Sequence, residues 1–289
     1  MIRLILDSNF ANSAVLYVAI PFLVSFAIFQ FTPKPKRHGL WKRYLAHMRD
    51  ATIIMLATSV ILFEGFICVL MFMPIYYLIV SVGFGAEALM KRGDDGQRSK
   101  LKASILPLVI AIFAVEGLTP STSFERQNQV TRTVIVNASI DDLKANMAAD
   151  IEFSDRRHWF LSIFPLPVDV AAGTLKAGDV HRLDFIYKRW FFTNIDRGEF
   201  HLRIDEVSEN QIRTSVTRNT SYLAKYLSIQ GTEVQFTPIS DERTEVALTI
   251  HYQRLLDPAW YFGPMQKFAV SRSADYLLDQ VIIREVSHD

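Results

Sequence analysis

The groups in this chain that could do chemistry do not fall into a catalytic pattern. His158, His181, His201 and His251 show neither the i, i+4 spacing nor the paired Cys/His spacing that a zinc site needs. Independent core and surface histidines are therefore expected, with His181 inward on its strand and His201 and His251 on polar faces. No Gly-x-Ser-x-Gly elbow, phosphate-binding loop or dinucleotide fingerprint occurs. The single cysteine, Cys68, lies in an apolar run, which excludes an intrachain disulfide and disfavours a nucleophilic role. Asp141 with Asp142 and Asp241 with Glu242 are adjacent carboxylates. They fall at a predicted helix start and a predicted turn, where capping and solvation account for them. Neither a metal nor a cofactor is expected.

The strongest remaining chemistry is aromatic. Trp159, Phe160, Phe185, Tyr187, Trp190 and Phe191 fall in the middle of the chain, and Tyr222, Tyr226, Trp260 and Tyr261 follow. Such residues either fill a core or line an apolar pocket for lipids, isoprenoids or polyketide-like rings. In Lys188-Arg-Trp-Phe-Phe192, bulky residues stand beside two cations and cannot all point inward. That segment suits either contact with lipid headgroups or a buried bulge.

The elements that must position these residues form a water-soluble α+β half after about residue 120. Val130–Val136 is a β-branched run suited to a strand. Ser139-Ile-Asp-Asp142 reads as an N-cap opening a helix to about Ala149, and a second short helix is expected over Asp155–Phe164, stopped by Pro165 and Pro167. Alternation then dominates to Leu255: Phe200, Leu202 and Ile204 alternate with polar residues, as do Val246, Leu248, Ile250 and Tyr252. Turns are predicted at Lys176–Gly178, Arg197-Gly198, Ser208–Asn210 and Ser240–Glu242. Asp257-Pro258 opens a last amphipathic helix, which Pro264 should limit or kink. The order is a strand, two short helices, an antiparallel meander of about six strands and a long C-terminal helix covering the apolar face.

With Val130–Val136 leading into Asn137-Ala-Ser-Ile-Asp-Asp142, and Thr244–Tyr252 followed by the helix after Asp257-Pro258, residues 130–286 resemble the START-like, polyketide cyclase/dehydrase and lipid-transport (SRPBCC) superfamily. The resemblance rests on diffuse hydrophobic patterns. It implies a helix-grip fold with a cavity for a hydrophobic ligand, around which the ten aromatics above would be arranged. It does not imply a reaction, since the fold hosts carriers, cyclases and hydrolases. At Ile140–Leu143 the family often shows Pro and then an aromatic, and this chain has neither.

The first half reads differently. Ala11–Phe31 is charge-free and about 20 residues long, enough for a helix to cross a hydrocarbon core of roughly 30 Å. Lys34, Lys36, Arg37, Lys42, Arg43 and Arg49 follow it rather than precede it, unlike a signal peptide. From Ala51 to Met90 only Glu64 and Glu87 are charged, which suggests two spans turning near Pro74. The spans expected are 11–31, 51–71, 74–90 and 103–118, joined by the linker 119–129 to the helix-grip domain. Glu64, near the middle of its span, is either a functional carboxylate or a packing one, whereas Glu87 and Glu116 lie near span ends. With both basic loops in the cytoplasm, four spans place the C-terminal domain outside, in the periplasm of a Gram-negative cell; three spans would place it in the cytosol.

The expectation is thus an α-helical transmembrane bundle fused to an α+β helix-grip domain, its partners the bilayer and a hydrophobic small molecule. Neither half is basic enough to suggest nucleic acid. The first functional reading is a membrane-anchored module for a lipid-like ligand. The alternatives are an enzyme using Tyr187, His181 or Asp184 as acid/base groups, and a scaffold that binds a partner protein instead.

Overall fold

The computed structural model describes residues 39–61, 66–92, 115–117, 122–151, 153, 158–168, 170, 173–188 and 195–283. The chain divides into two compact units: Met1–Phe124 with Leu256–Phe262, and Glu125–Leu255 with Gly263–Asp289.

In the first unit, α1 (Leu40–Ile61) and α2 (Phe66–Arg92) form an antiparallel pair. Tyr44 Oη lies 2.8 Å from Ser81 Oγ, and Thr52 Oγ1 is hydrogen-bonded to Tyr77 Oη, two pairings whose numbering runs in opposite directions along the helices. Met48, Val80 and Phe84 are buried between them. Two expectations are corrected here. The turn expected near Pro74 is absent, because α2 accommodates Pro74 in its interior. Lys42, Arg43 and Arg49 belong to α1 rather than to a loop. Glu64, the expected span 11–31 and all of 103–118 except Val115–Gly117 lie outside the described residues. Among the described residues, no helix is long and apolar enough to cross a membrane.

The second unit is built on a seven-stranded antiparallel sheet in the order β1-β7-β6-β5-β4-β3-β2. Its strands are β1 (Gln127–Val136), β2 (Leu166–Pro167), β3 (Val180–Lys188), β4 (Ile195–Val207), β5 (Gln211–Asn219), β6 (Leu227–Ser240) and β7 (Arg243–Arg254). β1 starts at Gln127, three residues earlier than expected, because Gln127 still pairs with Gln253. Between β1 and β2 come α3 (Ile140–Ala148) and a 3-10 turn, Trp159–Ile163. Ser139 caps α3 as expected: its hydroxyl accepts from Asp142 N at 3.2 Å, and the Asp142 carboxylate accepts from Ser139 N. The last helix, α4 (Ala259–Leu277), carries Pro264 inside it and continues as a π-helical turn, Leu278–Ile283.

Alternation sorts the sheet into a wet face and an apolar one. Glu199 on the wet face accepts from Arg182 at 3.0 Å, with Arg218 and His201 close by. Register shifts at His201/Leu202, Ile204/Glu206 and Ile229/Gly231 insert extra residues, which bend and twist strands locally. On the apolar face, Val270, Ala274, Leu278 and Ile282 of the C-terminal helical segment pack with Val246, Leu248 and Ile250 of β7 in one core. A curved antiparallel sheet covered by a long C-terminal helix is the helix-grip arrangement. The predicted turn at Arg197-Gly198 is absent; Gly198 is buried within β4.

Candidate ligand cavity

The helix meets the sheet along β7 and its neighbours, and the bend of the other strands leaves a space between them. That space is a partly open cavity of about 290 Å³. β3 contributes Leu183 and Phe185, and β4 contributes Phe200, Leu202 and Ile204, all placed by the two-residue period of a strand. Ala269, Ser273 and Tyr276 come from α4. Leu161 and Phe164, at the 3-10 turn, line another side, as does Phe153, whose ring stacks on Tyr276 at 6.2 Å.

The polar groups in the lining are few, and several are already engaged. Thr214 Oγ1 and Thr232 Oγ1 are 2.8 Å apart across β5 and β6, and Thr232 N donates to Thr214 Oγ1. Ser273 donates to Ala269 O, one turn back along α4. The Ser221 hydroxyl donates to Asn219 Oδ1. His181 lines the cavity as expected, with its Nε2 3.1 Å from Thr174 O. Gly173 leaves room for that imidazole, since a Cβ there would come within 2.6 Å of His181 Cε1. Lined almost wholly by carbon, such a space holds water poorly and accepts a hydrophobe readily.

Of the ten aromatics singled out from the sequence, Phe185 lines this cavity. Tyr187 is two residues along the same face of β3, but it is buried in a stack with Tyr222 at 4.6 Å, where the 3-10 turn Tyr222–Lys225 closes that end. Tyr226 donates to Tyr222 Oη at 3.1 Å in the same cluster, so these three tyrosines form packing rather than lining. Trp159 is 71% exposed, and Phe160 packs on Phe164 and Phe268 beyond the lining. Trp260 and Tyr261 belong to the first unit, where Tyr261 donates to Met71 O at 2.6 Å and Trp260 is partly exposed beside it. Trp190 and Phe191, with Arg189 and Phe192 of the cation-flanked segment, lie outside the described residues.

The three acid/base candidates do not converge. His181 lines the cavity, Tyr187 is in the tyrosine stack, and Asp184 is exposed with Arg182 Nε at 3.2 Å. Among the described residues, no three His, Cys, Asp or Glu side chains gather to hold a metal. The aliphatic lining, above all Leu183, Leu202 and Ile204, is not marked by aromatic type, and Phe153, Phe164, Phe200 and Tyr276 are lining aromatics outside the ten. The alternation of β3 and β4 carried the signal for the first three.

No family model and no curated protein matches the chain. Among solved structures it is similar to a START superfamily protein from Mycobacterium smegmatis, with 18% identity over 53% of this chain and 92% of that one and a TM-score of 0.36. It is also similar to the Zhui aromatase/cyclase from Streptomyces sp. R1128, at 17% identity over 54% and 92% of the two chains and a TM-score of 0.35. Truncated norcoclaurine synthase from Thalictrum flavum gives 13% identity over 54% and 96%, with a TM-score of 0.33. The functional reading of this chain rests on its own cavity.

Proposed function

We propose that this protein binds a small hydrophobic, lipid-like molecule in the helix-grip cavity and holds or presents it at a membrane. The observation that carries the reading is the carbon-lined space of about 290 Å³, at the small end of the roughly 300–1,000 Å³ typical of ligand pockets. The engaged hydroxyls of Thr214, Thr232 and Ser273 make it a site for holding rather than reacting.

The membrane part draws its support from the sequence and from the α1–α2 pair. Ala11–Phe31 carries no charge in the sequence, and neither does Phe66–Ala86. An antiparallel pair keeps Lys42 and Arg43 at the same end as Lys91 and Arg92, as the positive-inside rule requires of a hairpin. The proposed topology has both basic segments in the cytoplasm and the cavity-bearing unit on the external side of a plasma membrane.

Photolabelling tests the ligand. The full-length protein in lipid nanodiscs is irradiated with a medium-chain alcohol that carries a diazirine, then digested and mapped by mass spectrometry. Adducts are expected on peptides bearing Phe185 and Tyr276, suppressed by excess unlabelled alcohol. Adducts spread evenly over the chain, or indifferent to competitor, would overturn the reading.

A further inference from the structure

Trp159 is 71% exposed, which is unusual for the largest apolar side chain, and it does not stand alone. Its ring lies edge-on to Phe160 at 5.8 Å and 5.7 Å from His158. Phe160 meets Phe268 of α4 at 5.1 Å and Phe164 at 5.2 Å. Phe268 is itself 42% exposed, and the Arg272 guanidinium, which also meets Asp275 at 3.4 Å, sits over its ring at 5.2 Å from the centroid. Lys267, next to Phe268, is exposed. The 3-10 turn Trp159–Ile163 and one side of α4 thus present an aromatic patch with cations at its border. Phe164 belongs to both this patch and the cavity lining, and Leu161 of the same turn also lines the cavity.

We infer that this patch docks on the surface of a lipid bilayer, with Trp159 seated at headgroup level and Arg272 and Lys267 reaching lipid phosphates. Trp is favoured at membrane interfaces because its ring is apolar and its indole N–H is polar. Cations beside it gain from phosphate charge in a way that a neutral apolar partner would not repay. A stable protein interface takes about 20–30 residues on each side, far more than this handful of side chains supplies. Continuity with the cavity gives the docking a use: a hydrophobe leaving the bilayer beside Trp159 would meet Phe164 and then the lining.

The inference rests on the bilayer part of the proposed function, and the two fail separately. The chain has one cysteine, Cys68, so Cys68→Ser permits single-site labelling. NBD is attached at Trp159→Cys, or at Asn210→Cys in the exposed β4–β5 turn, in the full-length protein in nanodiscs with and without doxyl-labelled phosphatidylcholine. Quenching at position 159 is expected to exceed that at 210 by roughly twofold or more, with a blue-shifted emission. Equal quenching at the two sites would overturn the inference, and so would a blue shift at 159 without doxyl quenching, which would mean that protein covers the patch. As a check free of labels, Trp159→Phe should lose part of the tryptophan quenching that brominated lipid causes in the unmodified chain; no loss would also overturn it. Photolabelling of the cavity without quenching at 159 removes the docking alone, whereas quenching without cavity labelling removes the ligand reading alone.

Discussion

Asp279 sits one helical turn beyond Asp275, near the C-terminal end of the helix, where the unpaired carbonyls already carry negative charge. Asp275 has its own cations, with Arg132 Nε at 2.5 Å and Arg272 at 3.4 Å. Partial burial, and then the charge of Asp275, raise the Asp279 carboxyl above its ordinary range. An acid with a raised folded-state pKa binds its proton more tightly folded than unfolded, so it favours the fold at low pH. That contribution is lost as the pH climbs through the raised value. Asp279→Asn is therefore expected to raise Tm at neutral pH by about 1–2 °C, a surface-charge effect in a protein of this size. The gap should close as the pH falls below the carboxylate range, and thermal melts from acid to neutral pH check both limbs. Residue type was the weaker guide at this scale. Phe185 and Tyr187 share a strand face in the sequence, yet the tyrosine stack with Tyr222 depends on a chain segment 35 residues further on, beyond what strand period can show.

At the level of elements, local physics was readable wherever a short-range rule decided the outcome. Ser139 and Asp142 close a capping box that their spacing announces, and the alternation of β4 and β7 separates the Glu199 face from the Ile204 face. Glycine misled. Arg197-Gly198 reads as a turn, but Gly198 is in mid-strand because a Cβ there would come within 2.5 Å of Ser221 Cα, an approach set by a distant segment. Proline misled in the same way, since α2 continues through Pro74. Gly231 makes the rule testable. It follows the register shift in β6, and a Cβ on it would overlap the Thr214 carbonyl oxygen, part of the neighbouring strand's backbone. A carbonyl in a paired ladder has little room to give. Gly231→Ala is expected to destabilise the unit by about 1–3 kcal/mol, the usual range for overpacking, and chemical denaturation of the purified protein would show it as a lowered midpoint. An unchanged midpoint would mean that β5 and β6 can part locally without cost.

For the whole molecule, the cavity is a consequence of how one helix covers one sheet. The helix buries Val270, Ala274 and Leu278 with the β7 residues of the core, while the bulged strands β4 to β6 bend and leave their apolar faces around an open space. This could not be read from the strands alone, because an alternating strand looks the same whether its apolar face meets a helix or a void. Filling the void separates a binding site from a packing gap. Leu202 is half-buried in mid-β4 and lines the cavity, so Leu202→Trp puts a larger ring into space that already exists. Little backbone movement is required, because the added volume is well under 290 Å³. Tm is expected to hold within a few degrees, since the new apolar packing offsets the strain of a new rotamer. Diazirine labelling at the Phe185 and Tyr276 peptides is expected to fall by roughly tenfold, the loss that comes with about 1.4 kcal/mol of binding free energy. If labelling persists in a variant that melts normally, the alcohol is bound somewhere other than this cavity. If labelling falls only together with Tm, the loss reflects damage to the fold, and Ala269→Leu, which intrudes less from the helix side, is the variant that decides between them.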